Sequence, residues 1–384
     1  MIEFILNDTP IKTEQPNGAL LLDFIRYNQS LMGTKIGCRE GDCGACTVLI
    51  GDIRDGNLNY RQVTSCLTPL GNVQGKHVVT IEGLNMDSLS PIQKFMVDES
   101  GTQCGFCTTG FVVSLTQFCL ASTTPSYENA IASIDGNICR CTGYKPIERA
   151  AKQITESLSG KPLNETLAWL VKNKYIPSYF ERIPSILDSI HPEYNPPQNE
   201  TLVGGGTDLY VQKHDQLIDQ NVDLISHITE LNFIEIENGV CTLGAGVTAA
   251  DLLKSDIFIS VFPQLKDYLK LFASSPIRNM ATLGGNFVNA SPIGDFTAFF
   301  LALNSKIKLI KKDQSRSIYL KDFYQGYKDL DKSTDEIVST ISFKIPTQDR
   351  YINFEKVSKR IHLDIASVNT AIQISISDNK IAVT

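Results

Sequence analysis

Ten residues, Gly37-Cys38-Arg39-Glu40-Gly41-Asp42-Cys43-Gly44-Ala45-Cys46, constrain this chain more than any other stretch. Three cysteines stand there at C-x4-C-x2-C spacing, and Cys66 follows after 19 intervening residues. Four thiolates in this order, the last supplied from a distance, have the ligand spacing of a [2Fe–2S] cluster. Such a cluster is anionic and is stabilised by backbone N–H groups aimed at its sulfurs. Gly37, Gly41 and Gly44 can take the positive φ values that turn amides inward, and none has a Cβ to collide with the cluster. Zinc also accepts four thiolates, but its sites usually draw on two separated pairs, whereas here three ligands crowd one loop. A disulfide framework belongs to small exported chains. This chain has 384 residues and opens Met1-Ile2-Glu3-Phe4, with no basic segment followed by an apolar run.

A second cysteine set follows: Cys104 and Cys107, then 31 intervening residues, then Cys139 and Cys141. Cys107 precedes an apolar helical run from Gly110 to Leu120, and Cys141 precedes a helix from Pro146 to Leu158. Both pairs therefore stand at helix N-termini, where the macrodipole and free N–H groups favour thiolates and an anionic cluster. Taken alone, this set is ambiguous between zinc and iron–sulfur. Beside the first loop, a second [2Fe–2S] is the better reading. None of the five histidines, His77, His191, His214, His227 and His362, falls in either set, which argues against a Rieske centre. Cys119 and Cys241 are left over, on an apolar helix face and in a strand-like run, and read as buried structural thiols.

The rest of the composition is that of an ordinary globular protein of two or three domains, with 42% hydrophobic and 20% charged residues. A net charge of −7 and a pI near 5.4 argue against nucleic acid or an anionic membrane as partner. No apolar run reaches transmembrane length. Ten cysteines without an export signal suit a reducing cytoplasm, where cysteines serve more often as ligands than as bridges.

Periodicity divides the chain. Residues 1–85 are β-rich: a strand from Met1 to Leu6, a turn at Asn7-Asp8-Thr9, a return strand from Ile11, a helical run from Ala19 to Arg26, and strands at 47–50, 61–67 and 78–81. Residues 86–157 are helical, with Ser90-Pro91 opening one helix and Thr124-Pro125-Ser126 another. Residues 158–176 read as a linker with a short helix from Asn164 to Lys172 carrying Trp169, whose use is core packing. Pro162, Pro177, Pro184, Pro192, Pro196 and Pro197 punctuate the connecting chain. We expect it to wrap a domain surface rather than hang free. A third module then begins, with a strand at 201–203 and the turn Gly204-Gly205-Gly206-Thr207-Asp208 before Leu209. Three glycines between strand and helix can expose N–H groups to a diphosphate. A lone glycine turn is, however, more often structural, and the G-x-G-x-x-G fingerprint is absent. A second loop, Ala281-Thr282-Leu283-Gly284-Gly285-Asn286 leading to Ser291-Pro292-Ile293-Gly294-Asp295, shifts the balance towards a dinucleotide spanning both.

The runs Cys-Arg-Glu-Gly-Asp-Cys-Gly-Ala-Cys (38–46), Cys-Gly-Phe-Cys-Thr-Thr-Gly (104–110) and Asn-Ile-Cys-Arg-Cys-Thr-Gly-Tyr (137–144) resemble the iron–sulfur half of the molybdenum hydroxylases, the relatives of xanthine oxidase and aldehyde oxidase. The resemblance implies that Cys38, Cys43, Cys46 and Cys66 hold an outer cluster nearer a flavin. Cys104, Cys107, Cys139 and Cys141 would hold an inner one nearer molybdenum. The glycine loops and the run Phe272 to Asn279 resemble the FAD domain of the same family. By that likeness Leu202, Val203, Gly204, Gly205, Gly206, Thr207, Asp208 and Leu209 line the diphosphate and ribityl chain, and Phe272 packs on the flavin. Thr282 and Asp295 hydrogen-bond FAD beside Gly285 and Asn286. Val338 lies near the adenine, Lys356 in a closing segment, and Arg360 with Asp364 near the flavin edge. Without the motif match, Lys356 and Arg360 would read as solvated surface charges.

The implied fold is multi-domain α+β. It comprises a plant-type β-grasp [2Fe–2S] ferredoxin domain over 1–85 and a four-helix [2Fe–2S]-binding domain over 86–157. The 158–176 linker follows, then an α/β FAD-binding domain of the PCMH or vanillyl-alcohol-oxidase type over 177–347. Residues 348–384 read as the start of a C-terminal domain like the CO-dehydrogenase flavoprotein. The hairpin of 370–376 with 381–384 stops early, so the chain reads as a fragment or a truncated protein. No nucleophile–base pair and no molybdopterin domain are found. The resemblance therefore implies an electron-transfer oxidoreductase chain with two [2Fe–2S] clusters and FAD. Its partner would be a large subunit carrying a molybdopterin cofactor, and NAD⁺ its acceptor. Other readings are a subunit serving an aldehyde or N-heterocycle hydroxylase, a zinc-stapled interaction module without redox activity, and a free-standing flavin–ferredoxin reductase.

Overall fold

A computed structural model describes residues 1–54, 56–190, 201–346, 350–360, 363–377 and 380–384. His191, His362, Pro192, Pro196, Pro197 and the turn at Asp378-Asn379 lie outside the described residues. The chain divides into two compact units. The first holds the described residues up to 190 together with Tyr210–Asn221 and Ser275–Ile277; the second holds the rest. Among the described residues no helix is long and apolar enough to cross a membrane.

The first unit opens on a five-stranded mixed sheet, β1 Ile2–Leu6, β2 Thr9–Thr13, β3 Thr47–Arg54, β4 Asn57–Thr64 and β5 His77–Val79, in the order β2-β1-β5-β3-β4. β1 and β5 run parallel and every other pair is antiparallel. The β1–β2 hairpin turns on two residues, Asn7-Asp8, with Asn7 at φ +57°, a conformation asparagine tolerates. The helical run expected at 19–26 is one α-turn, Leu21–Asp23, opening into a π-helix, Phe24–Asn28. Leu20, Leu21, Leu22, Phe24 and Ile25 are all buried, more than one stripe of a regular helix can hide.

Four helices follow: α1 Pro91–Asp98, α2 Thr108–Ala121, α3 Tyr127–Ser133 and α4 Lys145–Ser157. α1 starts at a capping box between Ser90 and Gln93, with Pro91 in the first turn, and Ser126 caps α3. α2 is apolar nearly all round because it lies inside the unit. Phe111, Val113, Leu115 and Cys119 share one buried cluster with Leu49 and Tyr60 of the sheet and Ile147, Ala151 and Ile154 of α4. The chain beyond is bound to that cluster as well. α5 Thr166–Lys172 contributes Leu170, Trp169 stacks on Tyr175 at 5.7 Å, and Phe180 is fully buried. α6 Ile183–Ser189 then lays Ile183 and Leu187 on Ile5 of β1. The segment from Ser178 to Ser189 thus packs within the first unit.

The second unit holds a parallel pair, β6 Leu202–Val203 with β7 Asp223–Leu224, and an antiparallel five-stranded sheet in the order β11-β10-β14-β9-β8. These strands are β8 Ile234–Glu237, β9 Val240–Gly244, β10 Lys306–Lys311, β11 Gln314–Tyr319 and β14 Ile337–Lys344; a small hairpin, β12 Tyr324–Gly326 with β13 Asp329–Leu330, lies between the last two in sequence. A three-stranded antiparallel sheet, β15 Arg350–Val357, β16 Val368–Ser377 and β17 Lys380–Val383, ends the chain. Two helices concern the site, α7 Leu283–Asn289 and α8 Asp295–Ala302. Their core is phenylalanine-rich: Phe258, Phe262, Phe287, Phe299, Phe300 and Phe343 meet edge-on or tilted. Cys241 is buried in this cluster and Cys119 in that of the first unit, so both spare thiols are structural.

His77 is fully buried, its Nδ1 2.6 Å from the Tyr60 hydroxyl and its Nε2 2.7 Å from the Asn7 carbonyl. Burial pushes its pKa down from 6.5 to about 4, the Asn7 carbonyl pulling the other way. A depressed histidine stabilises the fold fully above pH 6.5, and that contribution is lost as pH falls from 6.5 towards 4. The loss should approach about 3 kcal/mol. Urea unfolding across this range should show a shallower slope in His77→Phe, although that variant is less stable at pH 7.5. Equal slopes would assign the acid sensitivity elsewhere.

Candidate functional site

Each cysteine set is assembled by loops leaning on the buried cluster of the first unit. In the 37–46 loop Gly41 and Gly44 take φ values of +81° and +67°, as their places in the turn demand. Gly37 does not. It is required for another reason: a Cβ there would stand 2.6 Å from Cys43 Sγ. Arg39 forks onto Asp23 through two hydrogen bonds of 3.0 and 2.7 Å and so pins the loop to the helical turn beneath it. Amides do point at sulfur. Cys38 N donates to Cys43 Sγ at 3.4 Å and Glu40 N to Cys38 Sγ at 3.3 Å. The Cys38 thiol is lowered to about 5, mostly by the hydrogen bond from the Cys43 thiol.

The four sulfurs of this set fall into two close pairs, Cys38 with Cys43 and Cys46 with Cys66, each joined side chain to side chain. The second set pairs across its two motifs: Cys104 Sγ lies 3.6 Å from Cys141 Sγ, and Cys107 hydrogen-bonds Cys139. Cys107 stands at the N-cap position of α2, while Cys139 and Cys141 lie in the turn before α4. Cys139 N donates to the Tyr144 hydroxyl at 3.1 Å, and Thr142 N donates to Cys139 Sγ at 3.5 Å. Among the described residues no three such groups close on the point of a single ion. Two thiols for each of two irons is what a four-cysteine [2Fe–2S] cluster takes, whereas one zinc asks four ligands to converge. The donor sets therefore fit two-iron clusters.

In the second unit the two glycine loops are in contact. A Cβ on Gly205 would stand 1.9 Å from the Met280 carbonyl oxygen, and one on Gly204 would stand 2.8 Å from Thr282 Oγ1. Thr282 caps α7, its oxygen accepting from Gly285 N at 3.2 Å. Asn286 Oδ1 beside it is buried without a hydrogen-bond partner. An orphaned buried oxygen next to two flush glycine turns is what a polar ligand such as FAD would satisfy. Gly206 is buried, Thr207 and Leu209 are half-buried and Asp208 is exposed.

Asp295, the first residue of α8, is held from two sides. Its Oδ2 accepts from Lys356 Nζ and its Oδ1 from Asn369 Nδ2, both at 2.8 Å. Lys356 also reaches the Leu271 carbonyl at 3.1 Å and is only 4% exposed. Removing one partner of such a pair costs roughly 3–5 kcal/mol. Phe272, next to Leu271, packs on Phe296 at 4.4 Å. Val338 is buried in β14, and Arg360 pairs with Asp364. Two residues escape sequence reasoning here. Arg278 is 6% exposed and donates Nη1 to the carbonyls of Lys270, Phe272 and Ala273, which shapes the Phe272 loop. Asn369 holds Asp295 in place. A cation inside an apolar run is the only signal for the first, and nothing local marks the second.

The clash at Met280 generates a test. Gly205→Ala should destabilise the second unit by about 1–3 kcal/mol and release flavin, with iron content unchanged; thermal unfolding and cofactor assays read both. Unaltered flavin would remove Gly205 from the site.

Comparison with known proteins places these features. Residues 4–71 match the 2Fe-2S iron-sulfur cluster binding domain and residues 80–152 the [2Fe-2S] binding domain; residues 175–348 match the FAD binding domain in molybdopterin dehydrogenase. The chain is 30% identical to the xanthine dehydrogenase of Emericella nidulans, over 98% of this chain and 33% of that protein. It is 28% identical to the xanthine dehydrogenase/oxidase of Rattus norvegicus, over 94% of this chain and 32% of that protein. An aldehyde oxidoreductase structure from Desulfovibrio gigas shares 35% identity over 43% of this chain and 18% of that one, with a TM-score of 0.37. The chain spans about a third of the length of the curated relatives it matches. It carries two iron–sulfur domains and the FAD binding domain of the molybdopterin dehydrogenase family, the molybdenum hydroxylases that its cysteine motifs resemble.

Proposed function

We propose that this chain is the electron-transfer subunit of a xanthine dehydrogenase, taking electrons from a molybdenum cofactor on a larger partner subunit and delivering them to NAD⁺. Xanthine or hypoxanthine would be oxidised on that partner. The two-by-two pairing of eight thiols, in a chain aligned over 98% of its length with a xanthine dehydrogenase, carries this reading. When bound, the clusters supply one-electron storage and the flavin links one- to two-electron chemistry.

The chain's own residues have simpler duties. Cys38, Cys43, Cys46 and Cys66 hold one pair of irons, and Cys104, Cys107, Cys139 and Cys141 hold the other. The amides of Cys38 and Glu40 offset negative charge on the sulfurs they face. The turn from Leu202 to Leu209, with Thr282, Gly285 and Asn286, receives FAD. Asp295, Lys356 and Asn369 fix the wall on which Phe272 sits. A cytoplasmic location follows from the same reading, since bound iron and free spare thiols persist where glutathione keeps cysteines reduced.

Cys104→Ser should drop iron from about four to about two per chain, abolish one cluster's EPR signal and leave flavin near normal. Joint loss of flavin and both signals would sink the modular assignment. Pull-down of the native protein should bring a much larger molybdenum-containing chain and reduce NAD⁺ with xanthine. A colourless, zinc-bearing protein without a partner would end the proposal.

A further inference from the structure

One buried polar residue outside both cysteine sets touches the loops of each. Asn137 is 5% exposed and lies two residues before Cys139. Its Nδ2 donates to the carbonyl of Gly44, next to Cys43, at 3.1 Å. Its Oδ1 accepts from Ser114 Oγ, itself fully buried on α2, at 2.8 Å. The neighbouring Ile138 N donates to the Cys43 carbonyl at 3.0 Å. The turn preceding Cys139 is thus fastened to the turn containing Cys43 by two hydrogen bonds side by side.

The backbones meet so closely that only glycine fits. A Cβ on Gly44 would stand 2.3 Å from the Gly136 carbonyl oxygen and 2.5 Å from Asn137 Nδ2; one on Gly110 of α2 would stand 2.2 Å from the Gly44 carbonyl oxygen. Between the sulfurs of Cys43 and Cys139 there lie only covalent bonds of Cys43, Ile138 and Cys139 and one hydrogen bond. Thr47 N and Oγ1 also donate to the Gly44 carbonyl, and Asn137 N donates to Ile134 O.

We propose that Asn137 is a positioning residue that sets the spacing and electronic coupling between the two iron–sulfur centres. This rests on the reading that both cysteine sets bind [2Fe–2S]. The carboxamide suits the task because it donates to one loop and accepts from α2, so neither loop can slide against the other without leaving a buried amide unpaired. An aspartate would keep the bond from Ser114 but face the Gly44 carbonyl with a second acceptor.

The test uses the full chain with both centres loaded, read by iron analysis and low-temperature EPR of the fully reduced protein. Asn137→Ala and Asn137→Asp should retain wild-type iron and both signals, yet lose the magnetic splitting between them and shift at least one midpoint potential. Ser114→Ala, which frees the side chain without removing it, should give a smaller change of the same sign. Full iron with wild-type splitting and potentials in all three variants would overturn the role of Asn137. If the Asn137 variants lose iron, Ser114→Ala decides: unchanged splitting overturns the proposal and reduced splitting supports it. A wild-type chain that binds no iron would instead sink the cluster reading itself.

Discussion

Eight thiols have to be brought together in pairs without filling the space that irons and sulfides need. Loops do this, and loops have little rigidity of their own. The buried cluster running from Leu49 and Tyr60 of the sheet through Phe111 and Leu115 to Ile147 and Ile154 supplies what they lack. Burying a side chain such as Phe111 is worth about 1.5–3 kcal/mol, and the cluster is built from many of them. It fixes α2 at the centre, and α2 fixes both loops: Cys107 stands at its first turn, Gly110 admits the Gly44 carbonyl, and Ser114 anchors Asn137. The apolar core and the cysteine chemistry are therefore one construction. A helix that was merely amphipathic could not face the sheet, α3 and two cysteine loops at once.

The second unit solves a different problem. Its candidate flavin site is bounded by backbone against backbone, with Gly204 and Gly205 flush against Met280 and Thr282. Side chains around it also hold one another. Arg278 holds three carbonyls around Phe272, and Asp295 accepts from both Lys356 and Asn369. Polar groups of this kind determine where neighbouring surfaces lie rather than what they bind. An unsatisfied atom beside these loops, the Oδ1 of Asn286, marks a place where recognition is still to be completed.

The sequence reveals what depends on short-range necessity. Cysteine spacing, the Ser90 and Ser126 caps, the Asn7-Asp8 turn and the apolar run of α2 each express a local demand, and each is found in the structure. Contacts decided by distant packing stay hidden. Gly37 has the look of a turn glycine, but its constraint comes from a sulfur six residues away. Asp295 and Lys356 are 61 positions apart and give no sign that they will pair. Asn137 resembles any other polar turn residue until α2 is placed beside it. The helix expected at 19–26 widens into a π turn because tertiary burial outweighs helical regularity. The segment from Ser178 to Ser189 joins the first unit because Phe180, Ile183 and Leu187 find apolar partners there.

The carboxylate of Asp295 touches β15 through Lys356 and β16 through Asn369, while its own backbone begins α8. The terminal sheet cannot peel from that helix without stranding a charge in a nonpolar setting. Fraying that would otherwise begin at the outer strand β17 is thereby checked one strand in. Amide hydrogens of β15, β16 and α8 then share a single opening event, and proteases meet either the closed wall or none of it.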